Sequence, residues 1–192
     1  TKKAWNQNIV QDEISSISDD IERSLLPDAC WPTHPLDAES YPRVGPKWTA
    51  YAVAAGAIHG LQILGRYGYK VNDMSDLLES VYQSFLKSPD VSVEPGLQIG
   101  ELGILMPALL DQPENSELSN SAIRCMEATI DLPLYEITYG QSSMRHAALA
   151  LYRKTAEGNW NELHLKGAKS IIDNWKQDMS QMDDVLVIGI EI

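Results

Sequence analysis

Cysteine is scarce. Cys30 and Cys125 stand alone among 192 residues, and neither has a second cysteine nearby. That spacing excludes a disulfide framework and a paired-cysteine metal knuckle, leaving two ordinary buried or half-buried thiols. Basic residues are also few. With 15 Lys and Arg against 27 Asp and Glu, the net charge is -12, so no cationic surplus exists to neutralise phosphates or dock on an anionic membrane. Nucleic acid and membrane are accordingly not expected as partners. Long hydrophobic runs are missing too: nothing approaches the roughly 18 to 20 apolar residues that cross a bilayer. Residues 1–26 are too polar to hold a signal peptide's apolar segment, so the expectation is a soluble, cytoplasmic chain. The length suits one domain or an incomplete piece of a larger one.

What the sequence does have is a helical period. Val10, Ile14, Ile17, Ile21 and Leu25 recur at spacings of three and four with acids between them, which predicts an amphipathic helix over Ile9–Leu26 ended by Pro27. Five of the ten prolines then fall at Pro27, Pro32, Pro35, Pro42 and Pro46. Fixed φ angles and missing amide donors forbid a continuous helix there, and Trp31, Tyr41 and Trp48 make 27–46 a long ordered loop. A second helix is expected from about Lys47 to Arg66, with Tyr51, Ala54, Ala55, Ile58, Leu61 and Leu64 buried. A third follows Asp73 as N-cap and runs to Ser88-Pro89. A fourth covers Leu97–Leu110 and is apolar nearly all round, so it should be buried on most sides. A fifth spans Ser116–Thr129, a sixth Ser142–Lys154, and a seventh starts after Gly158 and includes Trp160 and Trp175.

Polar-faced helices alternate with apolar, Gly- and Ala-rich ones, and the alternation has a length. Gly56 in Ala-Ala-Gly-Ala-Ile, Gly103 in Glu-Leu-Gly-Ile-Leu and Ser143 in Gln-Ser-Ser-Met recur at roughly 40 to 47 residues, the period of stacked helical pairs. Such repeats build an open solenoid or, if they close, an α/α toroid whose inner helices surround a cavity. The last residues, Val185-Leu-Val-Ile-Gly-Ile-Glu-Ile192, break the pattern and read as a non-helical apolar tail at 185–192 that must be covered.

The most site-like stretch is Tyr135-Glu136-Ile-Thr-Tyr139-Gly140-Gln141-Ser142-Ser143, with Arg145 and His146 just after it. A carboxylate, a phenol and two hydroxyls preceding an apolar helix can orient a substrate or exchange protons if they open into a cavity. The competing reading makes Ser142 or Ser143 a helix N-cap. Glu136 is the candidate catalytic residue, and Tyr139, His59, Arg145 and His146 are candidates for substrate or peptide binding. His59 equally suits a core histidine with one partner, His34 a structural role in the proline-rich loop, and His164 a solvated helix face. No His pair has i, i+4 spacing and none has a Cys or carboxylate at ligand spacing, so no metal site is expected from this chain.

The order of these motifs resembles a known family. Trp31-Pro-Thr-His34-Pro, Tyr51-Ala-Val-Ala-Ala-Gly56-Ala-Ile, Ile99-Gly-Glu-Leu-Gly103-Ile-Leu, Tyr135-Glu136-Ile-Thr-Tyr139-Gly140 and the Lys154-Thr-Ala-Glu-Gly158-Asn-Trp160 turn look like the N-terminal half of bacterial lanthionine synthetase C-like proteins, over about residues 30–176. The resemblance implies an all-α, α/α-toroid fold in which this chain supplies an incomplete half-ring. In the family's cyclases a zinc held by two Cys and one His activates a thiolate that adds to a dehydrated Ser or Thr. Those ligands belong to the other half, and nothing after Trp175 resembles them. The family's Tyr-Asp-x-x-x-Gly-x-x-Gly pattern stands here as Tyr135-Glu136-x-x-x-Gly140-x-x-Ser143, with the charge kept and the final Gly lost. Val53 stands where the family's Gly-Ala-Ala-Gly turn begins.

The expectation is therefore a peptide- or protein-binding scaffold without a zinc centre or cofactor of its own. The rivals are a fragment of a complete zinc-dependent peptide cyclase, and an α/α-toroid glycosidase relative using Glu101 and Glu136. A half-ring would expose inner-helix flanks, which predicts a homo-oligomer joined through the sixth and seventh helices and the apolar tail.

Overall fold

A computed structural model of the chain describes residues 6–27, 30–32, 47–51, 53–89, 95–130, 132, 135 and 140–179. These form seven α-helices and no strand: α1 (Gln7–Arg23), α2 (Ala54–Arg66), α3 (Ser75–Lys87), α4 (Glu101–Asp111), α5 (Ser116–Ala128), α6 (Gln141–Thr155) and α7 (Gly158–Met179). The fold is all-α. Most of the proline-rich loop and the whole 185–192 tail, with His34 and Tyr41, lie outside the described residues.

Local chemistry sets the boundaries. Asn6 caps α1 by accepting the Asn8 and Ile9 amides at 3.0 and 3.4 Å, and Asn115 caps α5 through the Glu117 and Leu118 amides at 3.1 and 3.2 Å. Asp73 is not the cap of α3: the N-cap is Met74, which makes no side-chain capping bond, and Asp73, one residue earlier, accepts the amide and the hydroxyl of Ser75. Neither Ser142 nor Ser143 caps α6. The helix starts one residue earlier, and the two hydroxyls donate to the carbonyls of Tyr135 and Gly140 instead. Ala156 ends α6 in the left-handed conformation at φ 60°.

Two helices begin later than their hydrophobic pattern suggests. Residues 47–51 and Val53 are not the first turns of α2. They form a turn in which the Ala54 and Ala55 amides reach back to the carbonyls of Lys47 and Trp48 at 3.1 Å. Tyr51, expected in the buried stripe, is 64% exposed. Likewise α4 begins after Leu97–Gly100, where Gly100 takes a φ of 156° that side-chain-bearing residues rarely adopt. The two turns touch: the Tyr51 amide donates to the Gln98 carbonyl at 2.8 Å.

They also share a device. A Cβ at Gly56 would strike the carbonyl oxygen of Ala50, and one at Gly103 would strike that of Leu97. In each case the obstructing carbonyl lies six residues upstream, so each turn folds flat against the first turn of its own helix. Absence of a side chain, not backbone freedom, is what the two glycines supply.

The core has two parts. Ala54, Ala55, Ile58 and Leu61 of α2 and Leu78, Val81 and Phe85 of α3 pack with Cys30, Trp31, Trp48 and Ile104. Leu102, Leu105, Met106 and Leu109 of α4 pack with α5, α6 and the fully buried Trp160 of α7. α4 belongs to both, packs against α2, α3, α5 and α6, and is buried on most of its circumference, as its all-round apolarity predicted. α1 departs from expectation. Only Ser18 is buried and Ile17 is 56% exposed, because the described residues hold α1 chiefly by its C-terminal end. There Glu22 accepts the Asn72 amide at 2.6 Å and Trp31 donates to the Ile21 carbonyl at 2.6 Å.

Candidate functional site

A cleft of about 190 Å³ opens where the C-terminal ends of α2 and α4 meet the N-terminal ends of α3 and α5. Leu78, Ile104, Leu105, Ala108 and Leu118 give it an apolar floor, and Asp76, Glu79 and Asp111 place carboxylates on its rim. Gln62 of α2 also lines it, with a side-chain oxygen that is buried and has no partner among the described residues. Arg66 is the basic side chain at this end, 3.5 Å from the Asp111 carboxylate. At that distance, and with both groups more than 40% exposed, the pair leaves the rim negative.

Tyr82 lines the inner end of the cleft and donates its hydroxyl to Glu101 at 2.8 Å. Burial, and then that bond to Glu101, push the phenol up to about 12. Cys125 lies on the other side of Glu101, and burial followed by the carboxylate's charge pushes its thiol up to about 12 as well. Both groups hold their protons at neutral pH, so Cys125 is no nucleophile. Glu101, one of the two acids the glycosidase reading requires, is engaged with a phenol. Glu136, the other, lies outside the described residues.

The sequence-derived candidates separate. Glu136 and Tyr139 lie outside the described residues. His59 is half-buried on α2, and its Nδ1 is buried without a partner among them. Burial, and second the charge of Arg66, lower its pKa below the usual histidine value, so the ring is neutral at pH 7. Arg145 is buried at 8% exposure near the start of α6, whereas its neighbour His146 turns outward and is exposed. His164 is not on a solvated face: it is half-buried, with Nδ1 3.2 Å from the Arg145 carbonyl. His59 and Arg145 sit on helices of different core clusters.

The donor set of the described residues does not suit the zinc of the lanthionine synthetase C-like cyclases. Among the described residues no three His, Cys, Asp or Glu side chains converge. Cys30 and Cys125 belong to separate clusters, and a thiol raised as far as that of Cys125 is a poor source of thiolate. Also among the described residues, no helix is long and apolar enough to cross a membrane.

No family model, curated protein or solved structure matches the chain. The family reading rests on the order of its motifs.

Sequence reasoning missed most of the cleft. Gln62, Asp76, Glu79 and Asp111 carry no motif, and Asp76 and Glu79 fall on what reads as the solvated face of α3. Only Glu101, the one charge in the apolar span Leu97–Leu110, stood out.

Proposed function

We propose that this chain is a peptide- or protein-binding module on the α/α-toroid plan of the lanthionine synthetase C-like proteins, a half-ring that serves as a cytoplasmic scaffold and not as a zinc cyclase. The observation that carries the reading is the cleft between α2, α3, α4 and α5, with its apolar floor and acidic rim. At about 190 Å³ it is smaller than the roughly 300 to 1,000 Å³ of small-molecule sites and takes one long side chain. An apolar stem ending in a cation, as in Lys or Arg, matches both surfaces. The paired turns at Gly56 and Gly103 support the toroid plan, because they repeat one geometry at the start of two successive inner helices and join through the Tyr51–Gln98 hydrogen bond.

The homo-oligomer belongs to the same proposal. On α7, Leu165, Ile172 and Trp175 are 56%, 47% and 52% exposed and recur at helical spacing. A second copy of the chain covers that stripe. Fluorescence anisotropy with a labelled Lys/Arg-containing peptide and an uncharged thiol-rich one tests the binding reading. Saturable binding of the basic peptide, weakened by salt and by Asp76→Asn with Glu79→Gln, supports it; binding of neither peptide overturns it. Sedimentation tests the oligomer, and a monomer at high concentration overturns that part.

A further inference from the structure

A second site follows from Arg145. This guanidinium is more than nine-tenths buried in a chain of net charge -12, yet no carboxylate among the described residues lies against it. Its Nη2 donates to Gln141 Oε1 at 2.7 Å, and Gln141 is itself fixed by donating to the Leu132 carbonyl at 2.5 Å. Nε and Nη1 have no partner among the described residues. The side chain borders a narrow cleft of about 10 Å³ between the end of α5, the first turns of α6 and the middle of α7, otherwise lined mostly by apolar groups such as Ile130, Met144 and Leu163. That volume holds one water-sized atom.

The surroundings are shaped for the cation. A Cβ on Gly167 would come within 2.8 Å of Nη2 and 2.9 Å of Cζ, so the glycine lets α7 lie against the guanidinium. A buried, unpaired charge is costly, and a neutral water in the cleft would satisfy a donor without balancing the charge. Desolvation pulls the Arg145 pKa down to about 10, which still leaves it ionised at neutral pH.

We propose that this cleft is an anion site, in which the Arg145 guanidinium donates from one of its unpartnered nitrogens, Nε or Nη1, to one small anionic atom, either a halide ion or an oxygen of a carboxylate. Gln141 and Gly167 are positioning residues that fix the guanidinium edge and leave it room.

Two readouts on the full chain test the site at constant ionic strength: thermal melting, and excess ³⁵Cl NMR line width in chloride. Sodium methanesulfonate, which has no carboxylate and is bulkier than the cleft, is exchanged for sodium chloride or sodium formate. The expected result is a saturable rise in Tm with chloride or formate that Arg145→Met abolishes. A response to chloride, with ³⁵Cl broadening, assigns the halide; a response to formate alone assigns the carboxylate. Gly167→Ala keeps every donor, and its gain in helix propensity offsets part of the cost of shifting the guanidinium, so it serves as the second variant if Arg145→Met does not fold. It should raise the half-saturating anion concentration at least tenfold. A Tm indifferent to both anions, or an equal response in Arg145→Met or Gly167→Ala, overturns the proposal in favour of a water or a carboxylate of the chain itself.

Discussion

Replacing Gly103 by Ala separates tertiary from local effects. By local propensity the change is favourable, since Ala exceeds Gly by about 1 kcal/mol inside a helix. Here, however, the added methyl runs into the Leu97 carbonyl oxygen and comes within 3.1 Å of both the Leu97 carbonyl carbon and the Ala50 Cβ. The obstruction is backbone, so the 97–100 turn must lift away. That movement strains the Gly103–Gly96 and Tyr51–Gln98 hydrogen bonds, 3.3 and 2.8 Å, each contributing about 1 kcal/mol. Overpacking adds about 1 to 3 kcal/mol. Net destabilisation should be about 2 to 4 kcal/mol. Gly60→Ala is the control: a glycine inside a helix, α2, with nothing within 4 Å of the new Cβ, so it should stabilise by about 1 kcal/mol. Urea melts of the two variants should differ by about 3 to 5 kcal/mol, or roughly 10 °C in Tm. Equal stabilities would refute the turn geometry, and with it the repeat read from Gly56 and Gly103.

Other predictions concern titration. The Cys125 thiol ionises near 9 unfolded and about 12 folded, so its contribution is complete below pH 9 and is lost above it. The wild-type chain should lose about 1 kcal/mol relative to Cys125→Ala between pH 9 and 10; parallel pH profiles in denaturant melts would contradict the burial of that thiol. Above pH 10 Tyr82 adds to this fall, while Arg145, whose folded pKa is depressed, opposes it. His59 acts at the acid end. Its folded pKa lies below 6.5, so the unfolded chain takes the proton first and stability declines as pH falls below 6.5. His59→Gln should flatten that decline, and an unchanged acid limb would show that the ring is solvated. At the caps, Asn115→Ala should cost about 1 kcal/mol in a thermal melt, and no loss would place the start of α5 elsewhere.

The fold was largely legible because its helices are amphipathic at a clear period and are punctuated by Pro, Gly and capping Asx residues. Leu78, Val81 and Phe85 on α3 and the all-round burial of α4 follow directly from the pattern. The errors share one cause. Residues 47–51 and 97–100 have helix-compatible composition, and what unwinds them is their packing on Gly56, Gly103 and one another, a long-range effect that no local period encodes. Tyr51 left the core for that reason. Ile17 matched a stripe that α1 has no described neighbour to bury. Of the site, Arg145 was legible as a residue type but not as a buried cation, since its burial depends on Gly167, far along the chain. The cleft acids were indistinguishable from solvated charges until α2, α3, α4 and α5 brought them together.

The central claim is tested most directly by calorimetric titration of a Lys/Arg-containing peptide into the wild-type chain and into Ala108→Trp, which fills the cleft floor without touching its carboxylates. The account predicts a saturable heat for the wild type, reduced by added salt, and at least a tenfold weaker one for Ala108→Trp in a chain whose circular dichroism is unchanged. Equal affinities for the two would contradict it, because binding would then depend on the acidic surface and not on the cleft.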